Sequence, residues 1–343
     1  MEDVRHILAE DKGKRDAEIA MQLSGLVLTE RMSDASLKSL ELSTPGAKSR
    51  RAFVALADAS VFLAPAAADV LSQAPPDLSE QRRMIALTVD YLGKKLPRLP
   101  DFYASRTTVR YNGDVRRVEG AGGIPHNDSS WREVGASKVV VTYRDGKEVI
   151  DPRGWGKYSP EGKGLITRGT FGPILSTVIV DAAHGEMSWD RWERGGAGTL
   201  AVFRYSVPAN QSHYSVGFHG LSGDKGDAEE ATGYHGEVAI DPKTGTILRL
   251  TVQADPAFGS SVFRGDIMVE YGPVEIGGKT YTCPIRSVSI SLTAEGLMGG
   301  IGPFGPPGPT PEATLLNDVT FGDYHLFRSE SHILTGIFPV PAP

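Results

Sequence analysis

The sequence predicts an α+β protein in which a helical N-terminal domain precedes an antiparallel β domain. Three observations carry this expectation. Apolar residues recur with a period of 3.6 up to about residue 96, and with a period of 2 from about Ser105. Hairpin signals then follow one another with few helical stretches between them, which favours an antiparallel sheet over a parallel one. Glycine and proline number 40 and 23 in 343 residues, above the usual ~7% and ~5%, as many turns require.

The helical part reads as four helices. Ile19, Leu23, Leu26, Val27 and Glu30 follow the rhythm of one helix face, predicting a helix from about Lys14 to Met32. Ser33 or Asp34 caps a second, ending near Leu42. Thr44-Pro45 opens a third, which Pro65 stops. Asp77 with Glu80 three residues later forms a capping box for a fourth helix through Lys95. Pro97 and Pro100 end that helix, and the boundary is placed there, between a helical domain 1–96 and a β domain 97–343.

The third helix resembles something else at first sight. Arg50-Arg51, the run Phe53 to Leu63, and Ala66-Ala67-Ala68 imitate a twin-arginine export signal. Phe53, Leu56, Ser60 and Leu63 lie at helical spacing, however, and Asp58 and Asp69 interrupt the run, so an amphipathic helix is expected and no transmembrane segment. Met1-Glu2-Asp3 leads into a charged stretch without an apolar core, so a signal peptide is expected to be absent or already removed.

In the β domain, Val139 to Tyr143 and Glu148 to Ile150 flank the turn Arg144-Asp145-Gly146-Lys147. Thr199 to Val207 places Phe203, Tyr205 and Val207 on one side; Tyr214, Val216 and Phe218 form one face of the next strand. Tyr234 to Ile240 and Thr246 to Gln253 make the clearest hairpin, closed by Asp241 to Gly245. Ile267 to Glu275 and Lys279 to Leu292 are joined by Gly277-Gly278. The apolar phase slips between Cys283-Ile285 and Val288-Ile290, and with Pro284 present a bulge or edge position is expected. A last strand covers about Leu315 to Phe327. Two segments break the pattern: a Gly/Trp-rich insertion at 151–198, with a short helix near Gly172 to Asp181, and the Gly/Pro loop Gly296 to Pro311. That loop carries Leu297, Met298, Ile301 and Phe304, which suit a lid or docking element.

Charge excludes one class of partner. Lys and Arg total 36 against 42 Asp and Glu, and residues 255–343 hold 4 basic against 9 acidic groups. No basic stripe is present to neutralise a phosphate backbone, so nucleic acid is not an expected partner. Cys283 is the single cysteine, so no intrachain disulfide forms.

Catalytic signatures are missing. The chain has no phosphate-binding glycine loop, no HExxH, no paired CxxC and no dinucleotide fingerprint. Gly220-Leu221-Ser222-Gly223-Asp224 has Asp where a nucleophile elbow needs Gly. Three His–acid pairs have the i, i+2 spacing that puts both side chains on one strand face: His126/Asp128, His184/Glu186 and His235/Glu237. None gains a third ligand at useful spacing. His213 and His219 stand ~20 Å apart along an extended chain, too far to share a metal. Asp224, Asp227, Glu229 and Glu230 match no EF-hand, and Trp131, Trp155, Trp189, Trp192 and Tyr158 read as core anchors before a sugar platform. Neither cofactor nor metal is implied.

Two sets of residues carry a family resemblance. Leu99-Pro100-Asp101-Phe102-Tyr103, Arg106 to Tyr111, Trp189 to Trp192, Val202 to Tyr205 and Ser212-His213-Tyr214 resemble exported bacterial proteins of unknown function. Gly236 to Asp241, Leu248-Arg249-Leu250 and Tyr271 to Lys279, on to Pro284, are similar to the strand pattern of periplasmic lipoprotein carriers, the LolA and RseB-like proteins. The resemblance covers roughly residues 97–330. It implies a curved, unclosed, half-barrel-like antiparallel sheet whose apolar face holds acyl chains, in a periplasmic or extracellular setting. Under it, Phe203, Tyr205, Tyr214 and Phe218 on the sheet, with Leu297, Met298, Ile301 and Phe304 above, are the candidate contacts for an apolar small molecule or lipoprotein. The helical domain, the insertion and the Gly/Pro loop depart from the carriers. The expected function is non-enzymatic binding of an apolar ligand; the alternatives are an assembly module with an envelope protein partner, and a hydrolase using His235/Glu237 or His184/Glu186.

Overall fold

The computed structural model describes residues 2–9, 14–113, 131–149, 173–196, 198–218, 228–256, 262–294 and 312–327. The chain opens with helices α1 (Glu2–Ala9), α2 (Asp16–Ser24), α3 (Asp34–Glu41), α4 (Ala47–Ala59) and α5 (Leu78–Lys94). The helix expected over 14–32 is shorter, because Gly25 sits at its C-cap and glycine is a poor continuation of a helix. Beyond it Leu28 and Met32 are still buried, while Val27 turns outward. Ser33 caps α3, its hydroxyl accepting from the Ser36 N–H at 3.3 Å. Asp77 caps α5 in the same way, accepting from the Glu80 N–H at 2.8 Å. α4 begins at Ala47, later than Thr44-Pro45 suggests, and ends before Pro65. Its first N–H groups are capped by a different helix: Asp16 accepts from the Lys48 and Ser49 N–H groups at 3.0 and 2.9 Å.

The β region comprises β1 (Phe102–Gly113), β2 (Trp131–Arg144), β3 (Lys147–Val149), β4 (Glu186–Gly195), β5 (Gly198–Val207), β6 (Ser215–Phe218), β7 (Ala228–Ala231), β8 (Gly233–Ile240), β9 (Ile247–Asp255), β10 (Val262–Ile276), β11 (Lys279–Ala294) and β12 (Glu312–Leu326). Helix α6 (Pro173–His184) precedes β4. Ten strands form one antiparallel, unclosed sheet in the order β3-β2-β1-β12-β11-β10-β9-β8-β5-β4, and β6 and β7 form a separate ribbon. β4 is a strand that periodicity does not reveal, because its register slips between Trp189 and Arg191 and breaks the alternation. The expected slip in β11 is present: pairing with β10 shifts between Glu270 and Tyr271, opposite Arg286 and Pro284.

Helices cover both faces. α5 and α6 supply Met84, Leu175 and Val178 to a core with Phe203, Tyr205, Tyr234, Leu250 and Val269. α1, α2 and α4 bury Val4, Leu8, Ile19, Leu23, Phe53 and Leu56 among themselves. Phe53, fully buried, contributes about 2–3 kcal/mol. The other side of α4, with Ala55 and then Val61, meets Met268, Val288, Ile290 and Leu316 on the opposite sheet face. Residues 1–96 therefore divide between the two faces of the sheet.

Two glycines mark close approaches. Gly245, in the β8–β9 turn at φ 69°, lies so near α5 that a Cβ would stand 2.4 Å from the Leu87 carbonyl carbon. Arg83 of α5 donates to the Pro242 carbonyl at 3.0 Å and fixes the same junction. A Cβ on Gly236 would stand 2.8 Å from the Tyr205 hydroxyl, which crosses β8 to donate to the Thr251 carbonyl at 2.5 Å. The β4 edge is covered in part by the chain before α5: Leu71 N–H donates to the Trp192 carbonyl at 3.0 Å and Val70 bridges Glu193.

Candidate functional site

A charged cleft lies between the N-terminal helices and the sheet face that α4 covers. The chain between α2 and α3 is pinned there by backbone contacts. Arg31 N–H donates to the Ala64 carbonyl at 2.7 Å, and Met32 N–H to the Ser60 hydroxyl at 3.1 Å. This aims the Arg31 side chain at the sheet, where Arg191, Glu193, Glu237 and Arg249 share one face of β4, β8 and β9. Arg31 meets Glu193 at 2.6 Å and Glu237 at 3.7 Å. Arg249 grips both Glu193 oxygens at 2.9 and 3.1 Å, and Arg191 grips both Glu237 oxygens at 2.8 and 2.7 Å. Arg191 also reaches Glu193 at 2.7 Å and pairs with Asp190, which holds Arg204 at 2.7 Å.

The electrostatics follow from burial and sharing. Burial alone would raise the Glu193 carboxyl, but the charge and hydrogen bonds of Arg249, with Arg31 and Arg191, bring it down to about 2. Burial likewise opposes ionised Glu237, and Arg191 overcomes it, leaving that carboxyl below its ordinary value. Next to this network stands a cluster of opposite balance, in which Arg286 of β11 pairs with Asp58 of α4 and lies 3.8 Å from Glu270 and 3.7 Å from Asp318. Asp58 is fully buried, and burial raises its carboxyl well above the ordinary value; Asp318 and Glu270 add to this, since three carboxylates share one guanidinium.

The cleft itself has a volume of about 310 Å³. Ala57 and Val61 line it from the helical side, Leu200, Leu248, Met268 and Ile285 from the sheet, and Arg31, Arg249 and Arg286 with Asp69, Glu193 and Glu270 form its charged wall. Such a space accepts an apolar body beside a wall of charges already paired with one another, at the lower limit of small-molecule sites.

The residues selected from sequence fall elsewhere. Phe203 and Tyr205 are each 1% exposed and lie in the core beneath α6, and Tyr214 packs against that core with its ring 5.2 Å from Tyr234. Phe218 lies on β6 opposite Ala228; its side chain is outside the described residues. Leu297, Met298, Ile301 and Phe304, with the whole Gly296–Pro311 loop, also lie outside them. So do His126, Asp128, Trp155, Tyr158, His219, the Gly220–Asp224 turn, Asp227 and the side chains of His184, Glu229 and Glu230. His235 and Glu237 share a strand face but serve different partners: His235 meets Asp255 at 2.9 Å and Glu237 meets Arg191. Trp189 and Trp192 stack edge-on at 4.7 Å and pack against the core, and the Trp192 indole donates to the Ala74 carbonyl.

Two arrangements escape sequence inspection. Arg31, Glu193 and Arg249 are separated by more than 200 positions in all, and only Asp190, Arg191 and Glu193, set among Trp189 and Trp192, hint at buried charge. The second is Asp181 of α6, 1% exposed, which accepts from the His213 backbone N–H at 2.8 Å, the His213 ring at 2.6 Å and the Tyr234 hydroxyl at 2.8 Å. Burial opposes its charge, but the His213 and Tyr234 hydrogen bonds hold it below its ordinary value. It ties β8 and the chain before β6 to α6.

Among the described residues no group of three or more His, Cys, Asp and Glu is arranged to hold a metal ion, and no helix is long and apolar enough to cross a membrane. No family model matches the chain, and neither the curated proteins nor the solved structures gave a match.

Proposed function

We propose that the protein is a non-enzymatic binding protein of the cell envelope that holds an apolar ligand, of lipid or acyl-chain type, between its N-terminal helices and its sheet. The observation that carries this reading is the 310 Å³ cleft, whose apolar lining comes from both layers and whose charged rim is paired within itself. The ligand position moves from Phe203 and Tyr205, which α6 covers, to the opposite sheet face. The envelope setting and the relation to lipoprotein carriers come from the strand and turn resemblance and are part of the same proposal.

The test is equilibrium binding of a fluorescent medium-chain fatty acid to the full chain and to Leu248→Trp and Ile285→Trp, which narrow the cleft from its partly exposed wall. The expected result is saturable binding, weakened at least tenfold (about 1.4 kcal/mol) by each variant. Absence of binding, or equal binding by wild type and both variants, overturns the assignment.

A further inference from the structure

Asp58 breaks the apolar run of α4 where the helix meets the sheet. Arg51, Ala55 and Asp58 lie at helical spacing on the side turned to β1, β2, β11 and β12. Of the two Asp58 oxygens only Oδ1 is used, by Arg286; Oδ2 is buried without a hydrogen-bond partner, and so is Oδ1 of Asp318. One guanidinium thus stands among three carboxylates, those of Asp58, Glu270 and Asp318.

With all three ionised, the interior under α4 would hold an excess of negative charge out of water, which a fold avoids by keeping a proton. Asp58 is the place for it. Its side chain is 0% exposed, against 13% for Asp318 and 21% for Glu270, so its charge gains least from solvent. Burial raises its carboxyl more than Arg286 lowers it. The remaining charges on the facing elements are engaged elsewhere. Arg51 pairs with Glu133 of β2 at 2.9 Å, Arg50 with Glu41 of α3 at 2.7 Å, and Arg264 of β10 with Asp266. Asp16 of α2 caps α4, α1 meets the same core with Val4 and Leu8, and Tyr111 of β1 is a phenol whose hydroxyl burial raises.

The consequence reaches the cleft, because Ala57 and Val61, on either side of Asp58, line it together with Arg286 and Glu270. We propose that Asp58 is a proton-operated latch on a lid: protonated, it lets α4 seat on the sheet and close the cleft, and ionised, it makes α4 open and release the apolar ligand. Release rests on the apolar-ligand reading of the cleft; the latch itself does not. In the open form water reaches the carboxylate, so the seated form holds the proton more tightly, and seating weakens as pH rises through the titration of the buried group.

The experiment is hydrogen exchange of the full chain from pH 5.5 to 8.5, corrected for intrinsic rates, with stopped-flow release of the neutral dye N-phenyl-1-naphthylamine over the same range. The expected result is a fall of at least tenfold in the protection of α4 amides as pH rises, with α5, on the other sheet face, unchanged, and dye release faster by the same factor. Asp58→Asn should keep α4 protected throughout. Asp318→Asn, which leaves Arg286 one competitor fewer, should move the fall to lower pH. A fall that is absent, that persists in Asp58→Asn, or that leaves dye release unchanged overturns the proposal. Failure of the dye to bind at any pH overturns the apolar-ligand reading instead, and the exchange data alone then decide the latch. Should Asp58→Asn not fold, wild type and Asp318→Asn carry the test, and a fall at the same pH in both overturns the proposal.

Discussion

Replacing Glu193 by Gln removes one charge from the centre of the buried network and leaves its shape. The Glu193 side chain is 4% exposed and meets Arg31, Arg191 and Arg249 at 2.6, 2.7 and 2.9 Å. Its carboxyl titrates at about 2 in the folded protein against an ordinary 4.5. At about 1.4 kcal/mol per pH unit, the ionised form contributes about 3 kcal/mol to folding. A lowered carboxyl adds stability that is fully present above pH 4.5 and is lost as pH falls from 4.5 toward about 2. In Glu193→Gln, Arg31 and Arg249 keep Glu237 only at 3.7 and 3.9 Å. The expected loss at pH 7 is about 3 kcal/mol, comparable to breaking other buried ion pairs (~3–5 kcal/mol) and a large part of a typical domain's stability. Urea unfolding followed by tryptophan fluorescence, at pH 7 and stepwise from pH 4.5 to 2.5, measures both quantities. The variant should be weaker at pH 7 and flatter in acid, and adding Arg31→Met should cost less than the sum of the single changes. A loss below about 1 kcal/mol at pH 7, or an acid limb as steep as wild type, would refute the claim that this network clamps the helices to the sheet.

Other expectations follow from particular residues. Asp58 is raised by burial and by sharing Arg286, so its effect has the opposite sign: wild-type stability should climb as pH falls from neutrality, and Asp58→Asn should flatten that climb in urea titrations, leaving the part due to Asp266 and Asp318, which burial also raises. Gly245→Ala meets both a positive φ and the α5 backbone at 2.4 Å, so it should cost about 2 kcal/mol or more by thermal unfolding; a neutral result would mean that α5 does not seat on that turn. Cys283 is fully buried, and burial pushes its thiol up to about 12, so a thiol reagent at pH 8 should label it only after unfolding, with prompt labelling of the native protein as the contrary outcome.

The legible parts of this molecule are those whose cause is local. The hairpins around Asp145-Gly146, Asp241–Gly245 and Gly277-Gly278, the caps at Ser33 and Asp77, and the slip near Pro284 all sit where short-range rules place them. Elements fail to be read where the cause is distant or interrupts the period. Asp16 caps α4 from another helix, so Thr44-Pro45 misplaces the start; Gly25 ends α2 although apolar spacing continues; and the bulge at Trp189–Arg191 hides β4. Phe203 and Tyr205 show the limit for site reading. Alternation correctly puts them on one side of a strand, but which helix covers that side is a tertiary fact, and α6 covers it. The cleft needs Arg31, Met268 and Ile285 together, residues that no spacing in the chain relates.

If the cleft between helices and sheet holds an apolar chain, native mass spectrometry will show it. The protein would be purified without detergent from its own source, weighed intact, and extracted with organic solvent. The expected result is a discrete adduct of lipid or acyl type that wild type retains and Leu248→Trp does not. A clean unliganded mass for wild type, or the same adduct on Leu248→Trp, would contradict it.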